Sequence, residues 1–343
     1  MKLATLSSKE RKVFSHICQA NQSQIFSIMR KFLVKNGYTK IEYTSGYLIA
    51  KGEMPIGLVA HADTVFSVAP YEFFADDSAN VMWSPQGLGA DDRAGIYGIM
   101  RIIQKGYKPH VIITADEEKG CIGASKLVAK HKTPPFKLNF LIQLDRRGEQ
   151  DSVYYDCGND DFEEVINKYG FITAIGSFSD ISIIAPAWDV AAVNFSVGYF
   201  HEHSYGEYLH MGHFLNTLSK VEKILTDADT FPAYDYQEVV WSDYWNYTTD
   251  NDINDYWKKY TPKPKKGEEA CYFCADPYKK EQLVPLSFST TKTKFKLCPN
   301  CFDHAKEDIG WCSKCGHGFF LSAKDKEKYV KNPKEWKCQE CSK

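Results

Sequence analysis

Short apolar runs alternate with stretches of helical periodicity along the first two-thirds of the chain. Four of these runs have the length and composition of buried strands, at 56–60, 110–114, 138–144 and 189–197. Apolar residues at helical spacing lie between them, most clearly from Ile96 to Ile103. Such alternation is typical of a largely parallel sheet with both faces covered. It predicts a mixed α/β domain in which helices sandwich the sheet.

Other elements are predicted on either side of this alternation. Serine or asparagine caps indicate helices near 9–19 and 24–35. A hairpin is predicted over 40–50, with its turn at Ser45-Gly46. A closing helix is predicted over 215–225.

After residue 230 the composition changes. Residues 231–260 are rich in Tyr, Trp and Asp, and 261–267 have the composition of a linker. We predict a catalytic domain at 1–230, a connector and linker at 231–267, and a cysteine-rich module at 268–343. The connector is interpreted as an ordered segment that packs on a surface, with a recognition arm as the alternative.

Charge divides the chain in a similar place. The 343 residues have a net charge of −2, yet positions 261–343 contain 17 lysines, no arginine and 11 acids, which leaves −8 for positions 1–260. Apolar residues make up 43% of the chain, enough for a substantial core. No stretch is long and apolar enough for a secretory signal or a membrane span. We therefore expect a soluble, cytoplasmic protein without membrane contacts.

Histidines and carboxylates follow each of the four buried runs. These residues, with Asp91 at the start of the helix after the first run, are His61, Asp63, Asp91, Glu117, Glu118, Asp145 and His203. The carboxyl ends of parallel strands share one edge of a sheet, where ligands gather. Such a set suits two zinc ions about 3.5–4 Å apart, bridged by one carboxylate. The alternative is a set of solvated loop acids, with Asp91 as an ordinary helix cap.

The adjacent acids Glu117 and Glu118 suit a division of labour. One carboxylate can bind metal while its neighbour stays free to act as a general base toward water.

Four motifs in this order resemble the dizinc exopeptidase superfamily, which includes peptidase T, carboxypeptidase G2, succinyl-diaminopimelate desuccinylase and the dizinc aminopeptidases. The motifs are His61-Ala-Asp63-Thr-Val, Gly89-Ala-Asp91-Asp-Arg-Ala-Gly95, Asp116-Glu117-Glu118 and His203-x-x-x-Glu207. The second is closest to peptidase T, which has Lys at the position of Arg93. The resemblance covers about residues 5–225 and implies a zinc-dependent metallopeptidase or amidohydrolase, most simply an aminopeptidase or related exopeptidase.

The resemblance also implies a role for each residue. It assigns His61, Asp91 and Asp145 to one catalytic Zn²⁺ or other divalent ion, and Asp91, Glu118 and His203 to a second. Glu117 would be the catalytic base, and Asp63 would orient the His61 ring. A cis peptide is implied between Asp91 and Asp92. His203 is preferred over His201 because only His203 has Glu207 four residues later.

Two further positions have weaker assignments. Ser179-Asp180 resembles the turn that lines the family's substrate pocket, which makes Asp180 a candidate substrate-binding residue, although a plain turn fits equally well. Arg146 and Arg147 could meet a substrate carboxylate, but structural salt bridges are the preferred interpretation.

The chain departs from peptidase T in one respect. Relatives of that type insert a lid and dimerisation domain before the last histidine, whereas only 58 positions separate Asp145 from His203. The resemblance therefore implies a compact, lidless catalytic unit for a small peptide or acyl-amide substrate. Glutaminyl cyclase-like relatives keep acyl transfer open as an alternative to hydrolysis.

Eight of the eleven cysteines form four Cys-x-x-Cys pairs after residue 270. They are Cys271 and Cys274, Cys298 and Cys301, Cys312 and Cys315, and Cys338 and Cys341. In a reducing compartment this pattern favours metal over disulfides. Near-equal gaps of 23 and 22 residues predict a tandem module with two structural Zn²⁺ ions, similar to a zinc ribbon or treble clef. Cross-braced or nested pairing remains an alternative.

The cysteine-rich module is interpreted as a stabilising or protein-docking zinc finger. Its acids and thiolates offset most of the lysines, and arginine, the commonest base-reading side chain, is absent. Nucleic acid is therefore the less favoured partner. The rival interpretation of the whole chain is a catalytically retired hydrolase fold that serves as a scaffold for a zinc-finger protein or nucleic-acid reader.

Overall fold

The computed structural model describes residues 3–238, 264–271, 277–289, 294–306, 309–338 and 340–342. The chain divides into two compact units, Met1–Val240 and Trp241–Lys343. Within the described ranges, none of the helices combines the length and apolar character needed to cross a membrane.

The described part of the first unit contains twelve strands and seven helices. The strands are β1 (Ile41–Tyr43), β2 (Tyr47–Ala50), β3 (Ile56–His61), β4 (Phe74–Asp76), β5 (Val81–Trp83), β6 (His110–Thr114), β7 (Phe140–Arg146), β8 (Asp151–Val153), β9 (Ile172–Ala174), β10 (Ala192–Ser196), β11 (Tyr199–Phe200) and β12 (Tyr208–His210). The helices are α1 (Ser8–Gln19), α2 (Gln22–Lys35), α3 (Ala90–Gln104), α4 (Ile122–Lys130), α5 (Asp160–Asn167), α6 (Asp180–Trp188) and α7 (Met211–Thr226).

Eight of these strands form the main sheet, in the order β1-β2-β6-β3-β7-β10-β8-β9. Its central strands β6, β3, β7 and β10 are mutually parallel. The hairpin β1–β2 joins one side in antiparallel fashion, and β8 pairs antiparallel with β10 on the other. The predicted mixed, largely parallel α/β fold is confirmed.

Both faces of the central strands are buried, which explains their continuous apolar sequences. In β3, Leu58 and Ala60 face the core that includes α1, α2, α3 and α7, while Val59 faces the core that includes α4 and α6. The same alternation continues in β6, where Val111 and Ile113 flank Ile112. A three-layer sandwich results, with the ends of the parallel strands open at one edge.

A smaller antiparallel sheet, in the order β11-β12-β5-β4, was not predicted. Its strands have only two or three residues, too few to display an alternating pattern. Helices α4, α5 and α6 were also missed. The loop between β11 and β12 carries His203, so this small sheet brings a predicted ligand toward the main sheet.

Residues 231–238 run along the first unit. The backbone amide of Tyr234 donates to the carbonyl of Asn139 at 2.8 Å, and the amide of Ala191 donates to the carbonyl of Tyr234 at 2.9 Å. The Tyr234 ring lies 5.2 Å from that of Phe162, centroid to centroid. The rest of the predicted connector, 239–263, lies outside the described residues.

The second unit is built on short strands and two short helices in its described part. These elements are β13 (Glu268–Ala270), β14 (Pro277–Lys279), β15 (Val284–Phe288), β16 (Lys294–Leu297), α8 (Pro299–Ala305), β17 (Ile309–Trp311), β18 (Gly318–Phe320) and α9 (Ala323–Lys331). Hairpin β15–β16 and hairpin β17–β18 join through a parallel pairing of β15 with β18. Both halves of the cysteine-rich module therefore share one sheet.

Candidate metal centre

The predicted site residues of the first unit meet at the carboxyl edge of the main sheet. His61 is the last residue of β3, and Asp145 is the next-to-last residue of β7. Glu117 and Glu118 lie in a 3₁₀ turn just after β6, and Asp91 lies at the start of α3. Side chains far apart in sequence are thus brought together at one edge of the sheet.

Asp91 connects two histidines through its two carboxylate oxygens. Its Oδ1 lies 3.1 Å from Nε2 of His61, and its Oδ2 lies 3.2 Å from Nε2 of His203. Nε2 of His61 is also 3.4 Å from Oδ1 of Asp145. Nε2 of His203 is 3.0 Å from Oε2 of Glu118. The five side chains form two adjoining groups that share Asp91.

These separations fit a metal centre. Two ligands about 2.0–2.1 Å from one tetrahedral zinc ion lie about 3.3 Å from each other. Nitrogen and carboxylate oxygen are also the donor atoms that zinc accepts. Candidate ligand atoms of His61, Asp91 and Glu118 lie within 4.8 Å of one another, as do those of His61, Asp92 and Asp145.

Asp91 is better placed than Asp92 to bind metal. Oδ2 of Asp92 accepts the backbone amide of His61 at 3.1 Å, and its Oδ1 accepts the amide of Gly95 at 2.8 Å. The peptide bond between the two aspartates is cis, as the resemblance implied. Asp92 therefore accepts hydrogen bonds from backbone amides around the site, while both oxygens of Asp91 face histidines.

The backbone of Asp91 is held by Glu207. The two carboxylate oxygens of Glu207 accept the amides of Ala90 at 3.0 Å and of Asp91 at 3.1 Å. Glu207 is fully buried, and this burial raises its pKa to about 8. Glu207, which follows His203 by four residues in the sequence, thus directly holds the backbone of Asp91, the residue whose carboxylate the two groups share.

Asp63 links His61 to the acidic pair. Its Oδ1 lies 3.3 Å from Nδ1 of His61, and its two oxygens accept the backbone amides of Glu117 at 3.0 Å and of Glu118 at 3.1 Å. Burial alone would raise the pKa of Asp63, but these hydrogen bonds and the His61 charge lower it below its usual value. A single carboxylate thus lies beside the His61 ring and anchors the turn that carries both glutamates.

Glu117 is half-buried in the 3₁₀ turn that follows β6. Its Oε1 accepts a hydrogen bond from the thiol of Cys121 at 3.6 Å. Burial raises the pKa of Glu117 to about 8. A pKa of this size is expected of a group that exchanges protons near neutral pH.

The two histidines differ in exposure. The His61 side chain is 1% exposed, whereas that of His203 is 43% exposed. Hydrogen bonds to Asp91 and Glu118 raise the pKa of His203 to about 11, which reflects its strongly negative surroundings. The centre is closed behind His61 and open to solvent beside His203.

Asp145 has a supporting shell that the sequence did not reveal. Asn194 accepts the amide of Asp145 at 2.9 Å and donates to its carbonyl at 3.0 Å. Gln143 and Ser179 donate to Oδ2 of Asp145 at 2.9 and 3.0 Å. Asn194 and Gln143 are fully buried polar residues in apolar strands, and that exception to the pattern was the available signal.

Arg93 is a second unpredicted support. Its side chain is 1% exposed, and it donates to the carbonyls of Ala62, of Asp63 at 3.2 Å and of Ala20 at 2.8 Å. It therefore fixes the chain that immediately follows His61.

Asp180, the candidate substrate-binding residue, is a buried residue at the start of α6. Ser179 is the N-cap residue of α6 and Asp180 its first residue, not part of a free turn. Asp180 is fully buried and accepts a hydrogen bond from Thr114, a residue of β6. Burial raises the pKa of Asp180 to about 7.

The less favoured residues lie outside the ligand groups. The ring of His201 packs 5.6 Å from that of Tyr208, centroid to centroid. Arg146 Nε lies 3.5 Å from Asp151 Oδ2, and Arg147 Nη1 lies 2.7 Å from Glu202 Oε1. Both arginines thus make the salt bridges that were preferred for them.

The second unit contains two cysteine clusters. The sulfurs of Cys312, Cys315, Cys338 and Cys341 lie within 4.8 Å of one another, as do those of Cys271, Cys298 and Cys301. Cys274, the predicted fourth member of the cluster of Cys271, Cys298 and Cys301, lies outside the described residues. The pairing is therefore tandem for the later four cysteines, with neither cross-bracing nor nesting.

A repeated hydrogen bond relates the two clusters. The amide of Cys298 donates to the sulfur of Cys271 at 3.2 Å, and the amide of Cys338 donates to the sulfur of Cys312 at 3.3 Å. Although burial acts to raise it, such amides lower the pKa of Cys312 to about 6. A thiolate, the form that binds zinc, is thereby favoured.

Comparison with known proteins identifies the fold. No family model matches the chain, and no curated protein matches it. The solved structure of aminopeptidase PepT from Bacillus cereus is similar, with 15% identity, a TM-score of 0.54, and coverage of 64% of this chain and 98% of that one. A tripeptidase from Staphylococcus aureus aligns with 14% identity and a TM-score of 0.55 over 66% of this chain and 100% of that one. The chain thus shares the α/β fold of these two peptidases.

Proposed function

We propose that the first unit is a metal-dependent hydrolase of peptide or related amide bonds, of the aminopeptidase or exopeptidase kind. The observation that carries this proposal is Asp91, whose two oxygens each face a different histidine, while Glu117 adjoins the candidate ligand Glu118 in the 3₁₀ turn. The shared fold with two peptidases supports it at the level of architecture.

His61, Asp91 and Asp145 would hold one divalent ion, and Asp91, Glu118 and His203 a second. Zinc fits this mixture of imidazole and carboxylate donors. When bound, such ions polarise a carbonyl and make a water more acidic near neutral pH. The protein fixes the donor atoms beforehand, through Glu207 behind Asp91, Asn194 behind Asp145 and Asp63 behind His61.

Glu117 would act as the general base and then the general acid. Its raised pKa suits accepting a proton from water and returning it to the leaving amine. The turn that carries it is anchored to Asp63, so its carboxylate is held next to the metal ligand Glu118. Asp116, immediately before the 3₁₀ turn, is not placed for this role, since it pairs with Lys119 at 2.8 Å.

We propose that the second unit binds two structural zinc ions and serves as a protein-docking or stabilising module. Three cysteines of one cluster and four of the other are grouped for tetrahedral thiolate binding. Nucleic acid is the less favoured partner, and retention of nucleic acid by residues 261–343 at physiological salt would reverse that order.

Glu117→Gln tests the catalytic proposal. The neutral amide keeps the size of the side chain but cannot accept a proton, so kcat should fall by about 10²–10⁴-fold on aminoacyl and acyl amides. The zinc content should not change. Asp116→Asn is the matched control and should retain activity. Unchanged hydrolysis by Glu117→Gln would refute the assignment, and the absence of hydrolysis of any peptide or amide by the wild type would favour the scaffold interpretation.

A further inference from the structure

Two aromatic rings meet beside the open side of the metal centre. Phe66 lies three residues after Asp63, and Tyr205 lies two residues after His203. Their ring centroids are 5.8 Å apart. The contact therefore joins the loop that follows His61 to the loop that carries His203.

Phe66 is held in place by a glycine. Gly87 has a φ of +84°, and a Cβ atom at this position would come within 2.2 Å of the Phe66 ring. The ring thus lies directly on the backbone that leads to Asp91. With one face fixed in this way, Phe66 provides a firm base on which Tyr205 rests.

The same surface is unusually exposed for its apolar character. Tyr205 is 74% exposed and Val65, next to Phe66, is 43% exposed. Exposed apolar groups that adjoin one another mark binding surfaces more often than isolated ones do. Tyr205 lies two residues after His203, whose side chain is 43% exposed, so these rings adjoin a part of the candidate metal centre that is open to solvent.

We infer that Phe66 and Tyr205 form an apolar wall that binds the side chain of a residue flanking the scissile amide, so that the preferred substrates carry large aliphatic or aromatic side chains. This inference rests on the proposed amide hydrolase function. It goes beyond that function by naming the substrate class and the residues that select it.

The wall would act by burial. A large apolar side chain placed against the two rings removes their exposed faces from water, whereas an alanine side chain leaves those faces exposed to solvent. One such contact changes relative affinity by about tenfold or more. A lysine side chain would place its charged group against the same apolar surface. A cation can also bind an aromatic face, so lysine is a useful comparison.

Binding of amino-acid hydroxamates to the metal-loaded, full-length protein tests this inference. Calorimetry should give about tenfold tighter binding of phenylalanine and leucine hydroxamates than of alanine hydroxamate. The preference should fall to about twofold or less in Phe66→Ala and in Tyr205→Ala, because the alanine variants lack one half of the wall. Lysine hydroxamate reports whether the rings instead select a cation.

Phe74→Ala is the matched control. Phe74 is 49% exposed and stacks on Trp83 at 5.7 Å, but neither ring lies on a ligand-bearing loop. Its removal should leave the preference intact. If Phe66→Ala fails to fold, Tyr205→Ala tests the inference by itself, because Tyr205 is the more exposed ring and its removal disturbs the fold less.

Equal affinity for the phenylalanine and alanine probes, a lysine probe that binds tightest, or no binding of any probe would overturn the inference. A preference that disappears in the wall variants supports it. If the preference is present but no amide is hydrolysed, the wall stands and the proposed function fails. If amides are hydrolysed without side-chain preference, the function stands and the wall fails.

Discussion

The two candidate metal regions of this protein are built in opposite ways. In the first unit, the candidate donor atoms are imidazoles and carboxylates at the edge of a large sheet, and hydrogen bonds hold the backbone of Asp91 and Asp145 in place. In the second unit, the donors are cysteines that themselves form part of the core. Its two apolar clusters contain seven and four buried residues, and half of the smaller cluster is cysteine.

This difference predicts different consequences of metal loss. The first unit has an extensive apolar core independent of its ligands, so removal of metal should abolish chemistry and leave the fold. The described part of the second unit buries few apolar residues besides its cysteines, so we expect removal of metal to unfold it. The open centre is suited to catalysis, and the closed clusters are suited to structure.

The largest expected effect is that of Asp91→Asn. Loss of the shared carboxylate should release both first-unit ions and lower kcat/KM by about three orders of magnitude or more. Circular dichroism should show the helices and sheet retained. Asp77→Asn, which changes a surface ion pair with Arg11, is the control and should be neutral. Retained activity in Asp91→Asn alongside metal loss in Asp92→Asn would reverse the roles of the two aspartates.

Cys338→Ser should have the complementary effect. Structural zinc contributes on the order of 10 kcal/mol to folding of a small domain, so residues 309–342 should become sensitive to protease and one zinc ion should be lost. Activity of the first unit should change by less than about twofold, because its candidate ligands and its core belong to a separate compact unit. Cys157→Ser, at a buried cysteine of the first unit, should keep the full zinc content. An inactive but protease-resistant Cys338→Ser protein would contradict the division between the two regions.

Glu207→Gln should have the smallest of the three effects. The amide keeps one acceptor oxygen, and one of the two backbone amides at Ala90 and Asp91 loses its partner. Changes of this kind reduce metal affinity or activity by about 10–100-fold. Competition with a chromogenic chelator measures the affinity directly. Glu202→Gln, at the surface pair with Arg147, is the matched control. Equal zinc affinity in the two variants would remove Glu207 from the support of Asp91.

The main sheet could be predicted because both of its faces are buried. Continuous apolar runs such as 110–114 leave a clear signal, and the residue after each run is then placed at the shared edge of the sheet. The small sheet gave no comparable signal, whereas helix α5 was missed although Asn159 caps it and Phe162 and Ile166 are buried at helical spacing. Strands of two or three residues are too short for an alternating pattern, and their pairing depends on tertiary contacts.

The direction in which a side chain points could not be predicted from the sequence. Asp180 follows a serine in an apparent turn, yet that serine caps a helix and the aspartate points inward to Thr114. Arg93 and Asn194 support the centre through backbone groups, and such contacts depend on where distant segments meet. Cysteine spacing likewise left several pairings open, and the packing of β15 against β18 brings the two halves into one sheet.

Anomalous diffraction at the zinc edge from crystals of the full-length protein tests the shared carboxylate most directly. We expect two peaks about 3.5–4 Å apart in the first unit, one on each side of the Asp91 carboxylate. The first should lie near His61 and Asp145, and the second near Glu118 and His203. A single peak, or peaks that contact Asp92 and leave Asp91 without metal, would contradict a two-metal centre bridged by Asp91.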